Sequence, residues 1–246
     1  MKSDYKTDYV SYYKMLSDEE RKLKYESVTE PWDLFENVKE YKEKYDSIVR
    51  DLLSDYPAVQ KMYKHSKLLA SDEVFEFNSY FTIGNSILSS KNNVTNILTD
   101  QKSQFPLICH EIVHIMQREY RDVFLSQYHK IGFKVYQNRE KINGIITNPD
   151  SRELFEYSEF SIVPFLGLEK SRPKAFIFDI IKETIAGLEN YDSYSNAFLP
   201  NRNVSSPDEI IANSFGMLIY QKMNNIGIDS KLDSITYFLK DNDMFK

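Results

Sequence analysis

The sequence predicts an α+β fold: a helical region over residues 1–70, then a small sheet, a central apolar helix and further apolar helices at the C-terminal end. Three observations predict it. In the first 70 residues aromatic and aliphatic side chains recur at spacings of three and four, the period of an amphipathic helix. From Glu73 the texture changes to EVFEFNSYFTIGN, where aromatic and β-branched residues partly alternate and Gly84-Asn85 supplies a turn. Beyond it, LICHEIVHIMQREY (107–120) and PDEIIANSFGMLIYQKM (from Pro207) are apolar segments of helical length. The expected organisation is a helical N-terminal region, 1–70, and one α+β domain, 71–246, with a β-rich insertion over about 131–175.

Taken in order, residues 3–26 read as a polar helix with Tyr5, Tyr9, Tyr12, Tyr13 and Leu16 on an incomplete apolar stripe, expected to dock loosely. Thr29 is placed to cap a second helix with Pro31 in its first turn, and Phe35, Val38, Tyr41, Tyr45, Ile48 and Leu52 give that helix a steadier stripe. A short third helix is expected from Ala58 to Leu68, with His65 as a surface side chain. NNVTNILTDQKSQFP reads as a loop or short helix, Pro106 falls in the first turn of the helix that follows, and that helix is expected to run on to about His129. FKVYQ, KINGIIT and LFEYSEFSIVPF are strand candidates, with Asn143-Gly144 and Asn148-Pro149-Asp150 as turns. KAFIFDIIKETIAGLENY, 174–191, reads as helical. A strongly apolar helix then starts at Pro207, and SKLDSITYFLKD is a last short helix.

Composition narrows the classes. The chain has 246 residues, 41 % of them apolar, and a net charge of −6. That is enough apolar material for a sizeable core. Lysine and acid are interspersed, so no basic face marks a nucleic-acid partner and no polybasic run marks an anionic membrane. A single cysteine excludes an internal disulfide and suits a reducing compartment. No signal-peptide pattern or membrane span is seen, and a cytoplasmic or virion-associated location is expected.

The chemistry concentrates at His110, Glu111 and His114, which stand in the spacing H-E-x-x-H. Residues four apart lie one above the other on a helix face, so two imidazoles aim at one point about 2 Å away, where a zinc ion fits. Glu111 lies at the edge of that face, turned too far to be a ligand but able to reach a water. It is the candidate general base. Leu107, Ile108, Ile112, Ile115 and Met116 are expected to pack this helix into the core. Cys109, on a different face from His110, reads as a small buried packing residue.

Two histidines do not complete a catalytic zinc site; a third protein ligand is needed, with water in the fourth position. A metzincin would continue H-E-x-x-H-x-x-G-x-x-H, and Gln117 and Tyr120 stand at those places. A thermolysin-like glutamate about twenty residues downstream is also missing. The candidates are Glu209, Glu183, Glu189 and His129. For Glu209 there is a competing reading, because Ser206-Pro207-Asp208-Glu209 is also a capping box.

The run D-E-I-I-A-N-S-F resembles the second helix of gluzincin-type metallopeptidases, in which the ligand glutamate opens E-x-x-A-x-x-F. The fuller resemblance, with P-[DE]-E before the ligand and a short final helix after it, is to the catalytic domains of the Pro-Pro endopeptidase and anthrax-lethal-factor type. It spans about forty residues on two helices. It implies a zincin-like metallopeptidase domain with His110, His114 and Glu209 as zinc ligands and Glu111 as the base. Ala212 would let the second helix approach the first closely, and Ile211 and Phe215 would pack. Those families carry an oxyanion-stabilising tyrosine shortly before the ligand glutamate; here Tyr191 and Tyr194 stand further upstream, and the gap between the motifs is longer.

The expected activity is hydrolysis of a peptide bond in a protein or peptide substrate, with Zn2+ as the cofactor. A different class competes with it: a non-catalytic protein of zincin fold, structural or virion-associated, that binds partners. An intact Glu111 argues for the enzyme, since holding zinc does not require that carboxylate.

Overall fold

The computed structural model describes residues 5–26, 28–138, 147–151, 153–157, 160–163, 168–169, 172–173, 176–179, 184–185 and 206–246. The N-terminal stretch expected as one helix is two, α1 (Tyr5–Met15) and α2 (Asp18–Tyr25). Ser17 separates them. Its hydroxyl accepts from the Glu20 N–H while the Glu20 carboxylate accepts from the Ser17 N–H, both at 3.1 Å, so a capping box starts a new helix there. Nor do these helices dock loosely. Tyr9 and Tyr12 are fully buried in a cluster with Leu16, Tyr25, Phe35, Leu69, Phe75, Phe81, Ile83 and Leu88.

The helix expected after Thr29 begins later. A 3-10 turn at Pro31–Asp33 and strand β1 (Glu36–Asn37) come first, then α3 (Glu40–Leu52), which buries Tyr41, Tyr45 and Val49. Phe35 and Val38 therefore precede the helix, because β1 pairs with a later strand. Helix α4 (Pro57–His65) starts with Pro57 in its first turn and ends before strand β2 (Lys67–Ser71). Strands β3 (Phe81–Ile83) and β4 (Ser86–Ser90) flank the Gly84-Asn85 turn, with Gly84 at φ +56°. The sheet order is β1-β2-β4-β3, with β2 and β4 parallel and both other pairings antiparallel. Its faces alternate: Leu69, Phe81, Ile83 and Leu88 join the tyrosine cluster, while α5 (Lys91–Thr99) and α6 (Gln101–Glu119) pack against the sheet. β2, β3 and β4 are buried at every residue but Lys67, whereas both residues of the edge strand β1 are exposed.

Helix α6 starts earlier than its apolar stretch implies. The Asp100 carboxylate accepts from the Ser103 N–H at 3.2 Å and caps it, which leaves Pro106 inside the helix rather than in its first turn. It also ends earlier than His129. Tyr120 leaves helical geometry at φ −117°, ψ 45°, its ring packs on Phe245, and α7 (Arg121–Lys130) follows.

Residues 1–120 and 211–246 form one compact unit and 121–210 another. In the second, α7 precedes an antiparallel sheet of β5 (Phe133–Val135), β6 (Phe155–Tyr157), β7 (Phe160–Val163), β10 (Phe176–Asp179) and β11 (Thr184–Ile185), in the order β11-β10-β7-β6-β5; β8 (Leu168–Glu169) and β9 (Arg172–Pro173) pair separately. FKVYQ and LFEYSEFSIVPF thus supply strands, while KINGIIT lies outside the described residues apart from Thr147. The helix expected over 174–191 is corrected: Phe176–Asp179 pairs antiparallel with β7 and Thr184–Ile185 with β10. A short run such as FIFD carries no period that separates strand from helix, and a partner strand decides it.

The C-terminal helices are α8 (Pro207–Met223) and α9 (Ser230–Thr236), followed by two 3-10 turns. Among the described residues no helix is long and apolar enough to cross a membrane. The fold is mixed α+β, mostly helical, with a four-stranded mixed sheet in the first unit.

Candidate metal centre

Helix α6 buries Ile108, Cys109, Ile112, Val113, Ile115 and Met116, so its histidines sit on a backbone gripped by the core. Leu107 is the exception and is exposed. His110 and His114 bring their Nε2 atoms to 2.9 Å of each other. Two nitrogens bound tetrahedrally to one zinc at 2.0–2.1 Å would be about 3.3 Å apart, close to this spacing.

His114 is fully buried and its Nδ1 lies 2.7 Å from Gln117 Oε1. An amide oxygen only accepts, so Nδ1 carries the proton and donates it, and Nε2 keeps its lone pair for a metal. Glu111 is 5 % exposed, and its Oε1 stands 3.8 Å from His110 Nε2. The carboxylate therefore borders the ligand face, where the motif requires a base. Tyr80, just before β3, donates to Gln104 Oε1 of α6 at 3.0 Å; burial, with the charge of Glu111 as the lesser cause, pushes its phenol up to about 12.

The third group is Glu209. Among the described residues, His110, His114 and Glu209 form a group whose ligand atoms all lie within 4.8 Å of one another. Although the division between the compact units falls after residue 210, α8 is one unbroken helix. Glu209 therefore rides on the same rod as Ile211, Ala212 and Phe215, all buried, with Phe215 edge-on to Tyr56 at 4.9 Å. Two imidazoles and a carboxylate are a donor set that can hold a metal ion. The triad is consistent with an HExxH-type zinc site.

The serine half of the expected capping box is present. Ser206 Oγ accepts from the Glu209 N–H at 3.4 Å and the Ser206 carbonyl from the Ile210 N–H at 3.0 Å. The backbone of Glu209 is capped while its carboxylate is directed to the histidines. Of the other candidate ligands, His129 is exposed on α7 and outside the triad. Glu183 and Glu189 lie outside the described residues, as do Tyr191 and Tyr194. His65 is exposed, its Nδ1 bonding to the Lys61 carbonyl at 2.7 Å. Cys109 is buried, and burial pushes its thiol well up, as suits a packing residue.

Sequence reasoning missed the residues that hold the ligands. Gln117 was recognisable, since a residue three beyond a helical histidine shares its face. Gly216 was not: a Cβ there would lie 2.9 Å from the Pro106 carbonyl oxygen, a contact only the fold creates. Asp208 is buried and bonded to Arg121 at 2.8 Å, Tyr128 at 2.5 Å and Ser151 at 2.8 Å, which anchors the first turn of α8.

Compared with family models, curated proteins and solved structures, the chain matches none.

Proposed function

We propose that this protein is a zinc-dependent metallopeptidase of the gluzincin kind, with His110, His114 and Glu209 as the metal ligands and Glu111 as general base. The convergence of those three ligand atoms beside Glu111 carries the reading. A bound zinc ion would polarise the scissile carbonyl and bring the pKa of a water down to about 7. Glu111 takes the proton of the attacking water and passes it to the leaving amine, a shuttle within reach of one carboxylate. His114 is held by Gln117, which would leave its Nε2 free to bind the ion. Substrate would lie extended along β3, one of the two edge strands of the first unit's sheet, adding its backbone as a further strand. The net charge of −6 favours a protein or peptide substrate over nucleic acid.

The test is metal content by elemental analysis, followed by cleavage of a peptide library. About one zinc per chain is expected in the wild type and in Glu111→Gln, and Glu209→Ala is expected to lose its metal on purification and to bind added zinc only weakly, through the two histidines. At a hundredfold excess over its dissociation constant, zinc should stabilise the wild type by about 2.7 kcal/mol. Cleavage should be absent in Glu111→Gln. A wild type that takes up no zinc on reconstitution overturns the reading.

A further inference from the structure

Asn148-Pro149-Asp150 is marked in the sequence as a turn, and the structure gives its first residue a second task. Asn148 is 8 % exposed; its Nδ2 donates to Glu209 Oε1 at 3.1 Å, and its Oδ1 accepts from the Asp150 N–H at 2.9 Å. The second bond settles the direction of the first. A backbone N–H only donates, so the amide oxygen faces Asp150 and the amide nitrogen faces Glu209. Pro149 disfavours helical backbone at Asn148, as suits a turn. Three residues on, Ser151 Oγ donates to Asp208 Oδ2 at 2.8 Å. One short loop therefore holds both consecutive acids in the first turn of α8, each through a different side chain. The Glu209 N–H is already satisfied by Ser206, so the bond from Asn148 to the carboxylate is not needed to cap the helix.

We propose that Asn148 is a positioning residue for Glu209, whose amide donor holds the carboxylate in one orientation so that a divalent metal ion at His110 and His114 meets a preset ligand. This rests on the metal reading of the triad and adds the residue that orients its one anionic member. A carboxylate with one oxygen taken by a fixed donor has fewer orientations to lose on binding metal. Aspartate at 148 would keep the turn but replace the donor with a second negative charge.

The experiment is a double-mutant cycle on zinc affinity, measured by competition with a chromophoric chelator in wild type, Asn148→Ala, Glu209→Ala and the double variant. The melting temperature of each metal-free protein and the visible spectrum of the cobalt-loaded wild type and Asn148→Ala are recorded beside it. Asn148→Ala is expected to weaken zinc about 10- to 100-fold when Glu209 is present and to have no further effect when it is absent. The cobalt spectrum should shift in Asn148→Ala. An equal loss of affinity in both backgrounds, or none in either, overturns the proposal. If Asn148→Ala does not fold, Asn148→Ser runs the same cycle, because its hydroxyl can serve the turn but is too short to reach Glu209. A wild type that binds no zinc overturns the metal reading with it, whereas tight binding unaffected by Asn148→Ala overturns this proposal alone.

Discussion

Gly216 and Pro106 meet where α8 crosses α6: a Cβ on Gly216 would stand 2.9 Å from the Pro106 carbonyl oxygen and 3.5 Å from the Cβ of His110. The glycine is what lets the second helix pass this close to the histidine pair. On an exposed helix, replacing glycine by alanine stabilises by about 1 kcal/mol. Here the sign reverses. Gly216→Ala forces the helices apart and is expected to cost about 1–3 kcal/mol, read from the midpoint of chemical denaturation, and to weaken zinc binding. An unchanged midpoint would show that the crossing absorbs a methyl group.

Gln117 supplies a second prediction. With its amide replaced in Gln117→Met, His114 loses the acceptor that keeps the proton on Nδ1. Zinc affinity should fall about 10- to 100-fold. Gln117→Glu, which retains the acceptor and strengthens it, should bind zinc at least as well as the wild type in the same chelator titration.

The N-terminal helices are locked to the 3-10 turn Glu76–Asn78, between β2 and β3, by a buried ion pair, Lys24 to Glu76 at 2.8 Å, with the Tyr12 hydroxyl donating to Glu76 at 2.8 Å and that of Tyr25 donating to the same oxygen. Glu76, Phe77 and Asn78 all have positive φ, at 46°, 60° and 61°, a strained run that the pair helps to hold. Lys24→Met leaves the carboxylate buried without its cation and should destabilise by about 3–5 kcal/mol in thermal or denaturant unfolding. Lys24→Met with Glu76→Leu should recover a large part of that loss.

Lys42 gives a pH dependence. Burial, with a smaller opposing effect of Asp46, brings its ammonium from 10.5 down to about 8, although Nζ also lies 3.7 Å from the centre of the Tyr63 ring. Between about pH 8 and 10.5 the unfolded chain therefore holds more protons at this position than the folded one, so the contribution of Lys42 to stability rises with pH through that window. Below pH 8 both states carry the charge and the contribution is flat. Compared at each pH, wild type should gain stability relative to Lys42→Met from pH 8 upward; a constant difference would refute the shift.

How far the site was legible follows from the range of each interaction. His110, Glu111 and His114 were readable because four residues of helix return to the same face whatever surrounds them. The start of α8 at Pro207 and its cap at Ser206 were equally local. The break between α1 and α2 was also written locally, as Ser17 with Glu20, but the helix-forming residues on either side of it read as continuous. Phe176–Asp179 carried no such local mark, since its four residues fit a buried helix or a strand and only β7 selects between them.

The sequence by itself determined the two histidines, the adjacent carboxylate, the helices that carry the candidate ligands and the mixed α+β class, because each follows from spacing and capping within a few turns of chain. Only the tertiary structure decided which distant acid joins the histidines, through the bare backbone of Gly216 at the helix crossing. It also placed Asn148 on Glu209, and Arg121, Tyr128 and Ser151 on Asp208. Those contacts join residues far apart along the chain, and no local periodicity encodes which of several acids a helix crossing will bring to a metal.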